Sequence, residues 1–151
     1  MMMQTDRSYR FYGYKTADVP PVDAAFAALH TPRDLYDALL PLWTRDTCAP
    51  RLQQDWSADN PTLGQCSITA FLAQDIFGGR VYGIPMPGGN FHCYNVVGGC
   101  TFDLTSEQFL PEVLQYGGDP EQTRETHFAK EEKRRRYETL KRRLLDALQM
   151  S

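Results

Sequence analysis

Two consecutive glycines, Gly98-Gly99, separate the run FHCYNVV (91–97) from CTFDL (100–104), and nothing else in the chain restricts its fold as tightly. Both runs are rich in β-branched and aromatic residues, which marks them as strands. A two-residue hairpin turn needs positive φ at its central positions, and glycine adopts it without a steric penalty. Such a turn pairs Val97 with Cys100, Val96 with Thr101, Asn95 with Phe102 and Tyr94 with Asp103. Because strand side chains alternate, His92, Tyr94, Val96, Thr101, Asp103 and Thr105 then share one face. Asp103 lies diagonal to His92, at the roughly 7–8 Å Cα separation from which a carboxylate reaches an imidazole.

The remaining elements follow from periodicity and punctuation. Residues 80–84 (RVYGI) read as another strand, joined to the hairpin by the loop PMPGGN. Upstream, SITAFLAQDIF (67–77) places Ile68, Phe71, Leu72 and Ile76 at helical spacing, with Gly78-Gly79 as its stop. Cys66 therefore falls at or just before the first helical turn. Residues 22–30 read as a short alanine-rich helix. Thr31, Pro32 and Asp34 open a second helix with Leu35, Leu39 and Leu42 as its buried stripe, which Pro41 ends. Residues 44–64 form a polar connector with turn signals at Pro50, Asp59-Asn60-Pro61 and Gly64. Thr105 caps a short helix at TSEQF. Residues 1–21, with Tyr9, Phe11, Tyr12 and Tyr14, read as a packing arm or edge strand. The tail, 121–151, reads as one long charged helix with Tyr137, Leu140, Leu144 and Leu148 along one face. Helices, an antiparallel strand group and a final helix make an α+β protein. Residues 1–120 are expected to form the domain, and 121–151 its charged C-terminal helix.

The chain's 151 residues suit one domain with a sizeable core, and a net charge of −3 argues against a surface built wholly for nucleic acid. No run approaches the ~20 apolar residues that span a bilayer, and MMMQTDRSYRFYGYK lacks the apolar region of a secretory signal. A cytoplasmic location is the expectation. There the four cysteines, Cys48, Cys66, Cys93 and Cys100, are free thiols. No CxxC pair occurs among them, so neither a metal nor a cofactor is implied.

A cysteine at a helix start is a candidate nucleophile, because the helix field favours its thiolate. A nucleophile needs a base, and the base an orienter. Of the three histidines, His30 lies among the N-terminal helices and His127 in the tail, while His92 lies on the half-buried hairpin strand. Cys66, His92 and Asp103 are thus the candidate triad of nucleophile, base and orienter. The Cys66 backbone N–H is a candidate oxyanion donor, with Gln65 or Trp56 as side-chain candidates beside it. Tyr94 and Asn90 are candidates for the substrate cleft, and the Gly88-Gly89 loop before His92 for a lid. Cys93 and Cys100 fall on the hairpin face opposite His92 and read as core thiols. Asn95 also faces away and reads as structural.

The sequence GQC opening a helix, HCYN on a strand and FDLT on the next resembles the transglutaminase-like branch of the papain-like cysteine enzymes, which carry GQCW, HxWN and D(A/L)T in that order. More closely, NPTLGQCSITAFLAQDIFGG followed by FHCYNVVGGCTFDLTSEQF is similar to the small bacterial YunG-like family. The resemblance spans residues 43–115. It implies a papain-like core with a central Cys66-bearing helix packed on an antiparallel sheet, and it gives Cys66, His92 and Asp103 their roles. Ser67 stands where a tryptophan commonly follows the cysteine, and Cys93-Tyr94 where an aromatic-tryptophan pair is usual. These departures fall on the acyl-acceptor pocket, and no calcium-binding pattern accompanies them.

Two functions follow as expectations. One is cysteine-dependent hydrolysis or acyl transfer (amidase, deamidase, peptidase or transglutaminase-like) on an amide- or ester-bearing substrate through a thioester. The other is a non-catalytic binding or interaction module that keeps the triad as a polar network. The tail's KEEKRRR and KRR runs mix acid with base. They suit a helix docking on the core, on a second copy or on another partner better than a nucleic-acid or membrane surface.

Overall fold

The computed structural model describes residues 9–150. In chain order it contains α1 (Pro32–Leu39), α2 (Cys66–Phe77), β1 (Arg80–Pro85), β2 (Phe91–Val97), β3 (Cys100–Phe102), β4 (Glu121–Gln122), α3 (Arg124–Phe128) and α4 (Glu131–Gln149), with short 3-10 turns between them. The sheet order is β3-β2-β1-β4, every neighbour antiparallel. This is an α+β architecture with a long C-terminal helix.

The hairpin register is the one the glycine pair demands. Val97 pairs with Cys100, Val96 with Thr101 and Asn95 with Phe102, and Gly98 and Gly99 turn at φ 54° and 87°. The ladder stops one pair short of expectation. Asp103 leaves β2 and bridges Tyr12 of the N-terminal arm, whose carbonyl accepts from the Asp103 N–H at 3.0 Å. The arm thereby serves as a packed edge, with Phe11 fully buried. The expectations for residues 1–8 lie outside the described residues.

Helix α2 lies between the sheet and α4, which accounts for a composition apolar nearly all round. Every residue from Ser67 to Ala73 is buried, as are Ile76 and Phe77. On α4, Tyr137, Leu140 and Leu144 turn inward and join the same core as Phe71 and Leu72. Arg124 binds Asp75 of α2 at 2.9 Å, and Tyr137 donates to the same carboxylate. Leu140 is fully buried. Leu140→Ala should lower unfolding stability by about 2–5 kcal/mol in a urea titration, with the slope unchanged.

Two helices differ from their sequence expectation. The stretch 22–30 narrows to a single 3-10 turn at Ala24–Phe26, capped by the Asp23 carboxylate. Only Phe26 and Leu29 are buried apolar side chains there, too little to hold a longer helix against its nucleation cost. The tail is not one helix. Glu121 and Gln122 pair with Tyr82 and Val81, so the segment first closes the sheet as β4. Thr123 then caps α3 by accepting from the Thr126 N–H, and Lys130, in extended conformation, separates α3 from α4.

Candidate active site

Gly64 sets up the approach to the site. It has φ 71°, and a Cβ there would meet the Cys48 sulfur at 2.4 Å. The chain then enters α2 with Gln65 as N-cap and Cys66 as the first helical residue. The Cys66 N–H is therefore one of the helix's orphan donors, and the dipole of α2 favours negative charge on the adjacent sulfur. Cys66 Sγ lies 3.8 Å from the Phe91 carbonyl oxygen, over the first residue of β2.

His92 and Asp103 form a buried hydrogen-bonded pair beside Cys66. Nε2 of His92 meets Oδ2 of Asp103 at 2.5 Å, with both side chains about 98% buried. The other ring nitrogen, Nδ1, is left for Cys66, which lines the same cleft as His92. Asp103 also accepts from Tyr116 Oη at 2.7 Å, from the Thr105 N–H at 3.1 Å and from Thr105 Oγ1 at 3.3 Å. Phe109 sets its ring perpendicular to the imidazole, centroids 4.7 Å apart. Tyr12 stacks on Tyr116, ring centroids 4.0 Å apart, and bridges Asp103 through its backbone. Packing and hydrogen bonds thus hold the ring in one plane and one tautomer.

The charges reinforce one another. Hydrogen bonds from the Cys93 thiol and then from His92 bring the Cys66 thiol well below its ordinary range, overcoming the opposing effect of burial. Burial disfavours the imidazolium, yet the Asp103 carboxylate and Cys66 outweigh it, and His92 is pushed up to about 10. Both shifts favour a thiolate beside an imidazolium. Cys93 moves the opposite way: its bond to Cys66 and its own burial raise it, so it stays a neutral donor.

Cys93 is buried in the hydrophobic core, on the strand face opposite His92, as expected of a core thiol. It also interacts with Cys66, which raises it. Asn95 turns to α2 and donates to the Ala70 carbonyl at 2.9 Å. Cys100 is half-buried, 3.2 Å from the Thr16 carbonyl.

A cleft of about 760 Å³ opens beside Cys66 and His92. Met86, Pro87, Gly89 and Asn90 form one lip, closed on itself by the Met86 N–H to Asn90 carbonyl bond. Asn90 thus lines the cleft, and Tyr94 does not: its ring packs edge-on against Tyr116 and its hydroxyl donates to Asp119 at 2.6 Å. Neither side-chain candidate for the oxyanion site points there. Gln65 is buried, with Nε2 donating to the Thr44 carbonyl at 3.1 Å, and Trp56 Nε1 donates to the Pro61 carbonyl at 3.0 Å. Each amide or indole N–H is drawn to a nearer backbone acceptor. His30 stays on the surface beside Asp34, while His127 stands in the cleft wall. Sequence reasoning missed Tyr116, Phe109 and His127, since each arrives from a segment whose local pattern carries no mark of the site. Among the described residues no cluster of three or more His, Cys, Asp or Glu side chains is arranged to hold a metal.

Fold and site together define an α+β protein with a buried, hydrogen-bonded imidazole–carboxylate pair and a thiol at one cleft. The chain belongs to the YunG protein family, whose family model matches residues 31–149. It is similar to the uncharacterized protein YunG of Bacillus subtilis (strain 168), 38% identical over 58 residues, a stretch making up 38% of this chain and 50% of that protein. The chain thus spans about half the length of this curated relative. No solved structure matches it. Among the described residues no helix is long and apolar enough to cross a membrane.

Proposed function

We propose that this protein is a cysteine-dependent acyl hydrolase or acyltransferase of the transglutaminase-like, papain-like kind. The observation that carries this reading is the chain Cys66–His92–Asp103 opening on a cleft, its sulfur at a helix N-terminus. In the first step the Cys66 thiolate attacks the carbonyl carbon of an amide or ester. The Cys66 N–H stabilises the developing oxyanion. The C–N or C–O bond breaks as His92 gives its Nδ1 proton to the leaving group, which leaves a thioester on Cys66 and a neutral ring. Water or an amine then attacks the thioester, His92 removes its proton, and the acyl product departs as the ion pair re-forms. Asp103 holds the ring and stabilises its charged form throughout. Hydrolysis is the favoured outcome, since the departures at Ser67 and Cys93-Tyr94 fall where transglutaminase-like sequences build an acceptor pocket.

The test is a panel of p-nitrophenyl esters incubated with the protein and with Cys66→Ala, followed by intact-mass analysis. The expected result is an acyl mass increment on Cys66 that hydroxylamine removes, and no increment in the variant. Acylation spread over Cys48 and Cys100, or none on Cys66, removes the reading and leaves the triad as a polar network of a binding module.

A further inference from the structure

Part of the cleft wall comes from the C-terminal segment, and the charge lining the cleft is lopsided. Arg51, Lys130, Lys133 and Arg136 line the cleft, against Glu132 as its one carboxylate. Glu132 is already spent on Arg136, whose Nε it meets at 2.8 Å, while Arg136 also donates to the Thr47 carbonyl at 3.0 Å. Lys133 is different. It is half-buried and makes no ion pair among the described residues. Its Nζ meets Nδ1 of His127 at 2.9 Å, and Nε2 of that ring meets the Gln122 side-chain oxygen at 2.8 Å.

That polar chain fixes proton positions. Gln122 Oε1 is an acceptor, so His127 Nε2 carries the hydrogen and Nδ1 is a lone pair facing the ammonium. Burial and then the Lys133 charge push His127 down to about 4, so the ring is neutral and contributes no countercharge. Burial likewise lowers Lys133. The ammonium's hydrogen-bond partner is neutral and the Cys66 thiolate, itself the reacting atom, offsets its burial only in part, so a carboxylate at the non-reacting end of a substrate would add compensation. Strand β4 carries Gln122 and α3 carries His127, so the elements that depart from a simple helical tail are the ones that aim Lys133 at the cleft.

Taking Cys66 as the nucleophile proposed above, we infer that the cleft accepts an acyl substrate bearing a carboxylate, anchored by the ammonium of Lys133 on its Gln122–His127 support. Lys133 is a binding residue for the non-reacting end of the substrate, and one half-buried positive charge matches one carboxylate. Arg51 and Lys130, both exposed, add a longer-range attraction that salt screens.

Charge-selective alkylation of Cys66 tests this. Iodoacetate and iodoacetamide differ in a carboxylate against an amide, and the ratio of their rates cancels the fraction of thiolate. Lys133→Met should lower the iodoacetate/iodoacetamide ratio about fivefold, the size of a single ion contact in a wet site, while Lys133→Arg keeps most of it. His92 also attracts iodoacetate, so the change on substituting Lys133 is the diagnostic quantity. A ratio unaltered in Lys133→Met overturns the anchor. In a parallel arm, Cys66→Ala protein is titrated with glutarate, glutaramide and inorganic phosphate while the ring signals of His127 are followed by NMR. Saturable shifts with glutarate alone, lost in Lys133→Met, support the site even if Cys66 proves unreactive. Equal response to glutaramide, or tighter binding of phosphate, overturns the carboxylate assignment.

Discussion

His92→Gln should move the acid limb of Cys66 alkylation by iodoacetamide upward, toward the ordinary thiol value near 8.5. Glutamine keeps a donor for Asp103, so the variant removes the charge without leaving the carboxylate bare. The sign follows from the geometry. An imidazolium beside the sulfur favours the thiolate, so the native thiolate persists well below neutrality and is lost only as pH falls through the lowered Cys66 value. Alkylation at the plateau should not slow in the variant, because a thiolate of higher pKa is intrinsically the better nucleophile. Amide turnover should behave oppositely. It needs the proton that His92 donates to the leaving amine, and its loss should cost about 10²–10⁴-fold. In the native protein that proton is lost as pH rises through about 10, so turnover should fall on the alkaline side while alkylation does not. Alkylation and turnover failing together at one pH would remove His92 as the proton donor.

How much of this was open to sequence reasoning depended on the range of the interaction. The hairpin register was legible because two glycines permit one short turn and a one-residue slip reverses every side chain. Cys66 at the head of α2 was legible from the start of helical periodicity, and the His92–Asp103 pairing followed from the register. Where Asp103 goes after Phe102 was not, since its backbone partner, Tyr12, lies 91 residues away in an arm without strand alternation. Tyr116 was hidden in the same way, in a stretch without regular structure. That the tail docks on the core was legible from Tyr137, Leu140 and Leu144, but its cationic cleft wall was not, because charge density over 121–151 masks a two-residue strand. Gln122 reveals itself only once β1 is there to pair with it.

Asp103→Ala should be among the most destabilising substitutions in the chain, by about 3–5 kcal/mol in a denaturant titration. The carboxylate is 1% exposed, and four donors from three residues converge on it. Alanine strands the Tyr116 hydroxyl, both Thr105 donors and an imidazolium in a space too buried for water to restore every bond. Asp103→Asn is the more informative change. It preserves volume and one carbonyl oxygen, but its NH2 must face donors at the other oxygen's place, and the negative charge is gone. Its stability cost should therefore be smaller than that of alanine, while His92 should fall from about 10 toward the ordinary 6.5, readable by NMR titration of the ring. If the network serves chemistry, the asparagine variant should lose far more turnover than stability, because the charge that holds the imidazolium is the functional part. If it serves only to hold the Tyr12 arm and Tyr116 on the hairpin, stability and Cys66 reactivity should fall in proportion. Asn against Ala at this one buried position thus separates an orienting carboxylate from a structural one.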